Sequence, residues 1–141
     1  LTYAAAENGN VEHAALMAAW WIGIADESIV TYMTQGDERV RATHLSLEGI
    51  SYPKSQFPGE LIPPIEWACR CYLVADGMAS VRGTLQDKMD YRILVNPVFA
   101  ESLAKGGRIF GAQHPYFAKP LPTKVQEITK RIKQKLYTYA D

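Results

Sequence analysis

Cysteine is scarce: of 141 residues only Cys69 and Cys71 are cysteines, one residue apart. Such a pair builds no disulfide framework, and a bond between residues i and i+2 would be strained, so a reducing compartment suits it. Net charge is absent too, because fifteen Lys and Arg balance fifteen Asp and Glu. No global field therefore announces a nucleic-acid or membrane partner. Long apolar runs are missing. The longest, Ala14–Ile24, falls short of the roughly 20 residues a bilayer span needs, and it lacks the basic flank and small-residue cleavage site of a signal peptide. There is no glycine-rich phosphate loop; Gly106-Gly107 stands alone after Lys105 and reads as a turn. Internal repeats and low-complexity tracts are also lacking. The chain begins at Leu1 rather than Met, as expected of a piece or processed product of something longer.

What remains is an ordinary globular balance, with 48% hydrophobic and 21% charged residues, and a length expected for one domain, 1–141. Thr2–Ile22 is rich in Ala, Met, Leu, Glu and Trp and predicts a helix, with a weak point at Asn8-Gly9-Asn10. Trp20 and Trp21 belong to its core face, whereas His13 is expected on its surface. Ser28–Thr34 has the β-branched and aromatic content of a strand. After a turn at Gln35-Gly36, Asp37 is a natural N-cap for a short helix through Leu47, which Gly49 ends. Ser51–Pro64 reads as a proline-rich loop, and Trp67–Ala75 as a second strand able to pair with the first. Ala79–Tyr91 predicts another helix. His114, followed by Pro115, is expected to shape a loop. The expected class is α+β: helices packed against a small antiparallel sheet, loop-rich.

The C-terminal stretch is locally basic. Lys124, Lys130, Arg131, Lys133 and Lys135 stand against Glu127. Val125, Ile128, Ile132 and Leu136 recur at spacings of three and four, the apolar stripe of an amphipathic helix over about 123–139. Thr123 serves as its N-cap, with Pro120 and Pro122 preventing an earlier start. Its basic face is either a solvated exterior or a surface for an anionic partner such as DNA.

Two separated stretches carry most of the chemistry: Gly36–His44, and Pro63–Cys71. On a strand, Cys69 and Cys71 project from one face, and two thiolates form half of a tetrahedral zinc site. His44 is a third candidate ligand, and Glu66 or Asp37 a candidate fourth. The alternative is that the cysteines pack as small hydrophobes while His44 hydrogen-bonds locally. The arginines divide similarly. Arg39 or Arg70 can lock Asp37 or Glu48 in a bidentate pair, or the exposed arginines can bind phosphate. Trp67 is expected in the core. For nucleophilic catalysis, Cys71 with His44 or His114 is conceivable, but no orienting third residue or oxyanion loop accompanies the pair.

The block Asp37-Glu38-Arg39-Val40-Arg41-x-x-His44-x-x-Leu47-x-Gly49, followed by Pro63-Pro64, Trp67 and Cys69-Arg70-Cys71, closely resembles the Mu F-like family. These are the minor head, or head morphogenesis, proteins of tailed bacteriophages and prophages. Tyr3-x-x-Ala6 and the Ala-rich stretch to Trp21 resemble the segment preceding the motif there, and Arg108-Ile-Phe and His114-Pro-Tyr-Phe resemble a tail seen in some members. Some relatives carry a Cys-x-x-Cys and a His before the Cys-Arg-Cys, which reads as a zinc site. In this chain Arg41 and His44 align with that first pair, and Glu66 stands at the His position. The resemblance implies a structural role inside the phage head, with portal and head proteins as partners and in some cases phage DNA. It implies a location in the virion interior or the host cytoplasm and does not imply an established enzymatic activity; no enzyme, no membrane partner and no small-molecule substrate is expected. The competing expectation is a Cys/His-dependent hydrolase or toxin-like enzyme. Thiols buried beside Arg and Asp favour the first reading, and an open cleft exposing a thiol favours the second.

Overall fold

The computed structural model describes residues 2–75, 90–120 and 122–139. The chain divides into two compact units, Leu1–Gly111 and Ala112–Asp141. The class is α+β.

In the first unit, helix α1 (Thr2–Gly23) precedes the central strand β1 (Ile29–Met33). The short helix α2 (Ala42–Leu45) and strands β2 (Ser51–Pro53) and β3 (Tyr72–Ala75) follow. The sheet order is β2-β1-β3, antiparallel throughout, with Val30 opposite Tyr52 and Tyr32 opposite Leu73. Asn10, Ala14, Met17, Ala18 and Trp21 form the buried face of α1, at helical spacing. Asn8-Gly9-Asn10 does not interrupt the helix. Trp21 is in the core and Trp20 is half-buried against it. Val30 and Tyr32 share one face of β1 and, with Leu47, Leu61, Ile65 and Leu73, make the centre of that core.

Several boundaries differ from expectation. Helix α2 starts at Ala42, not after Asp37. The Asp37 side chain and carbonyl instead accept from the Arg39 and Val40 amides, closing a local turn that competes with helix. Gly49 ends this segment as expected: at φ +85° it occupies the left-handed region that glycine enters freely. The supposed loop Ser51–Pro64 contains β2, which is short enough to escape a pattern of alternation. Its Ser51 hydroxyl meets that of Thr31 at 2.7 Å, buried. The second strand begins only at Tyr72, because Glu66–Cys69 forms a turn in which Ala68 adopts φ +54°. The helix expected over 79–91 lies largely outside the described residues; Tyr91–Leu94 is a 3-10 turn. Lys105-Gly106-Gly107 is a turn, with Gly106 at φ +79°.

The second unit contains α3 (Pro115–Ala118) and α4 (Thr123–Tyr139). The His114 carbonyl accepts from Phe117 and Ala118 amides, fixing the start of α3. Helix α4 is capped one residue earlier than expected, by the Pro122 carbonyl. Its apolar stripe Val125, Ile128, Ile132 and Leu136 is exposed.

Candidate metal centre

The turn after β1 and the turn before β3 meet, as their complementary chemistry predicts. Three sets of contacts cross the seam. The Arg70 guanidinium grips Asp37 with two parallel bonds, Nη1 to Oδ2 at 2.9 Å and Nη2 to Oδ1 at 2.7 Å. The bidentate geometry is the strong form of this pair. It holds the Asp37 carboxyl below its ordinary value, chiefly through the hydrogen bonds from Arg70. Arg41 reaches across to donate from Nη2 to the Trp67 carbonyl at 2.8 Å. Beneath them, His44 Nδ1 lies 3.4 Å from Cys71 Sγ and 3.9 Å from Cys69 Sγ.

These three donors lie within 4.8 Å of one another. They are all buried, at 3% exposure for His44, 6% for Cys69 and 3% for Cys71. The cysteines converge although they do not sit on a strand; the left-handed Ala68 turns the chain so that both sulfurs face His44. Their arrangement is compatible with a metal site of two thiolates and one imidazole. The two neighbouring thiols cannot ionise independently: proximity to Cys71 and to His44 holds Cys69 below the ordinary thiol range against the cost of burial, while proximity to Cys69 together with burial pushes Cys71 up.

Tyr32 closes the site from the sheet side. It is fully buried, and its hydroxyl, a neighbour of both sulfurs, has no hydrogen-bond partner. Burial and the two neighbouring thiols push that hydroxyl far above the ordinary tyrosine value. A buried donor left unpaired costs free energy. It gains a full acceptor once the sulfurs carry negative charge, as they do on binding a metal.

The candidate fourth ligands are elsewhere. Asp37 is committed to Arg70. Glu66 Oε1 accepts from its neighbour's amide, Trp67 N, at 2.9 Å and from Asn96 Nδ2 at 2.7 Å, which makes Glu66 a cap of its own turn. Neither carboxylate joins the cluster among the described residues. Arg39 does not pair with Asp37 through its side chain, and Glu48 is bonded instead by the Thr34 hydroxyl. Pro64 is buried with Pro63 in the segment leading to Ile65. Trp67 is half-buried rather than central, edge-on to Phe99 at 5.0 Å and stacked with Phe110 at 5.5 Å. His114 lies in the second unit and takes no part in the cluster.

Helix α1 supplies two site residues that the sequence did not single out. Asn10 donates from Nδ2 to the Glu66 carbonyl and accepts at Oδ1 from the Ala68 amide, both at 3.1 Å. His13, expected on the surface, bonds through Nδ1 to the Cys69 carbonyl at 2.9 Å. A carbonyl only accepts, so the His13 proton resides on Nδ1. Together they clamp the cysteine turn from behind. Asn10 could have been found as the polar residue on an otherwise apolar helical face.

No protein-family model matches this chain, and no solved structure does. A stretch of 42 residues is 45% identical to part of an uncharacterized protein of Methanocaldococcus jannaschii, covering 30% of this chain and 7% of that protein. The matched part is thus a small fraction of the relative's length. Among the described residues, no helix is long and apolar enough to cross a membrane.

Proposed function

We propose that this chain is a zinc-stapled structural and assembly domain of a tailed-phage or prophage head, a minor head protein that docks to the portal. The observation that carries this reading is convergence. Asp37, Arg41, His44, Trp67, Cys69, Arg70 and Cys71, the residues of the resemblance, meet in one knot although 25 residues separate His44 from Cys69. A motif conferring a structural staple needs that contact; unrelated surface residues do not. The burial of both sulfurs beside the Asp37–Arg70 pair supports the structural reading over a cysteine hydrolase, whose nucleophile must reach its substrate.

Zinc suits the donor set. Sulfur and nitrogen donors select it over magnesium or calcium. With Zn–S near 2.3 Å and Zn–N near 2.0 Å, tetrahedral geometry sets S···N at about 3.5 Å, and the observed 3.4 and 3.9 Å bracket that value. His44, Cys69 and Cys71 would hold the ion and tie the two turns to each other. The basic helix α4 is the candidate contact for phage DNA. Such a protein would work in the virion interior or, during assembly, in the host cytoplasm.

Co-expression with the portal protein encoded by the same phage genome tests the assembly role. The expected result is co-elution of the two proteins through size exclusion. Separate elution at micromolar concentration counts against it. Zinc is tested by elemental analysis after purification without chelator, with about one equivalent expected and less than about a tenth excluding a tight site.

A further inference from the structure

The metal reading leaves one coordination position without a ligand from the described residues, and the surroundings of the cluster indicate what occupies it. Beside the cluster lies a recess of about 20 Å³, walled by Arg39, Arg41 and Arg70, with His44 and Cys71 lining it. That volume admits about one oxygen-sized atom. The rim is open to water, since Arg39 and Arg41 are exposed, while His44 and Cys71 are buried below it. Asp37, paired with Arg70 and near Arg39, is one carboxylate against three guanidinium groups, and among the described residues neither Arg39 nor Arg41 forms a salt bridge. The recess is therefore electropositive where it reaches two of the three donors.

A centre of two thiolates and one imidazole on a divalent cation is neutral and keeps one coordination position open, and the guanidinium groups around that position favour an anion there. Asp37 and Glu66, the nearest candidates by sequence, are held away by their own hydrogen bonds. We infer that the recess is an oxyanion site: one oxygen of a phosphate-class ligand enters to complete the metal's coordination, while its outer oxygens stay in water within reach of Arg39 and Arg41. The inference rests on the metal reading above.

Cobalt(II)-substituted protein, titrated with inorganic phosphate at constant ionic strength, tests it. The readouts are the phosphorus-31 line width and the cobalt d–d absorption, with the zinc protein as diamagnetic control. Saturable broadening together with a d–d shift is the expected result. Arg39→Ala should weaken the apparent phosphate affinity about tenfold without changing metal stoichiometry, and Arg92→Ala, an exposed arginine elsewhere, should change neither. A full equivalent of cobalt with no phosphate response overturns this inference alone. So does a response that Arg39→Ala leaves unaltered, which would mark an adventitious ion only. Failure to bind cobalt overturns the metal reading beneath it.

Discussion

At the scale of single residues, the cysteine turn is held by side chains that never touch the sulfurs. Asn10 satisfies one half-buried carbonyl of residue 66 and the amide of residue 68 with a single amide group. Removing it leaves both to partial solvation, which costs less than the roughly 1–3 kcal/mol of a fully buried unsatisfied group. Asn10→Ala is therefore expected to destabilise by about 1–2 kcal/mol in urea unfolding of metal-free protein; a loss under about 0.5 kcal/mol would show that water replaces the clamp. The exposed ion pairs make a different prediction. Arg70 holds Asp37 below its ordinary pKa, and Arg108 brings Glu101 down to about 2. A carboxyl lowered in the folded state stabilises above its unfolded pKa and loses that contribution as pH falls through the folded value. Melting temperature in chelator should thus be flat near neutrality and fall as pH drops from about 4.5 toward 2. Arg70→Ala and Arg108→Ala together should shallow that fall, and an unchanged slope would mean the pairs do not form in solution.

At the scale of elements, α1, β1 and α4 were legible in the sequence because each carries a long, consistent signal: helix formers, a β-branched run, a spaced apolar stripe. The contact between the two turns was legible as well, from charge and ligand complementarity between Gly36–His44 and Pro63–Cys71. What escaped was short or set by tertiary contact. β2 has three residues, too few for alternation to register. The 66–69 turn needs Ala68 at positive φ, a conformation alanine does not advertise. It persists because α1 and Asn96 hold it from both sides. The roles of His13 and Asn10 were hidden for the same reason, since nothing local links α1 to a turn more than fifty residues away. α4 carries five cations along an exposed helix. If three or four of them contact phosphates, log K for duplex DNA should fall with log salt at a slope of about −3 to −4. Lys130→Glu with Lys133→Glu should flatten that slope and weaken binding for all sequences alike. A salt-independent affinity, or none measurable at low salt, assigns the basic face to solvation.

At the scale of the molecule, the first unit joins α1, the three-stranded sheet and the cysteine turn at one place, so an ion bound there acts on the cooperative unit rather than on a loop. The donors come from α2, which carries His44, and from the turn before β3, which carries the cysteines, and α1 backs the second. Opening any of these elements would break the site, and a ligand bound only by the folded state raises stability by RT ln(1 + [L]/Kd). At free zinc a hundredfold above its dissociation constant this is about 2.7 kcal/mol, or roughly 5–11 °C in melting temperature for a domain near this size. Chelation should lower the midpoint by that amount, and added zinc should restore it. Cys69→Ser with Cys71→Ser should melt near the chelated protein and no longer respond to zinc. The buried apolar core, with Tyr32, Leu47, Leu61, Ile65 and Phe99 almost wholly enclosed, is expected to keep the metal-free chain folded, so the shift remains measurable as one cooperative transition. A midpoint that chelator leaves in place would remove zinc from the account and leave the Asp37–Arg70 pair and the Asn10 clamp as what holds the two turns together.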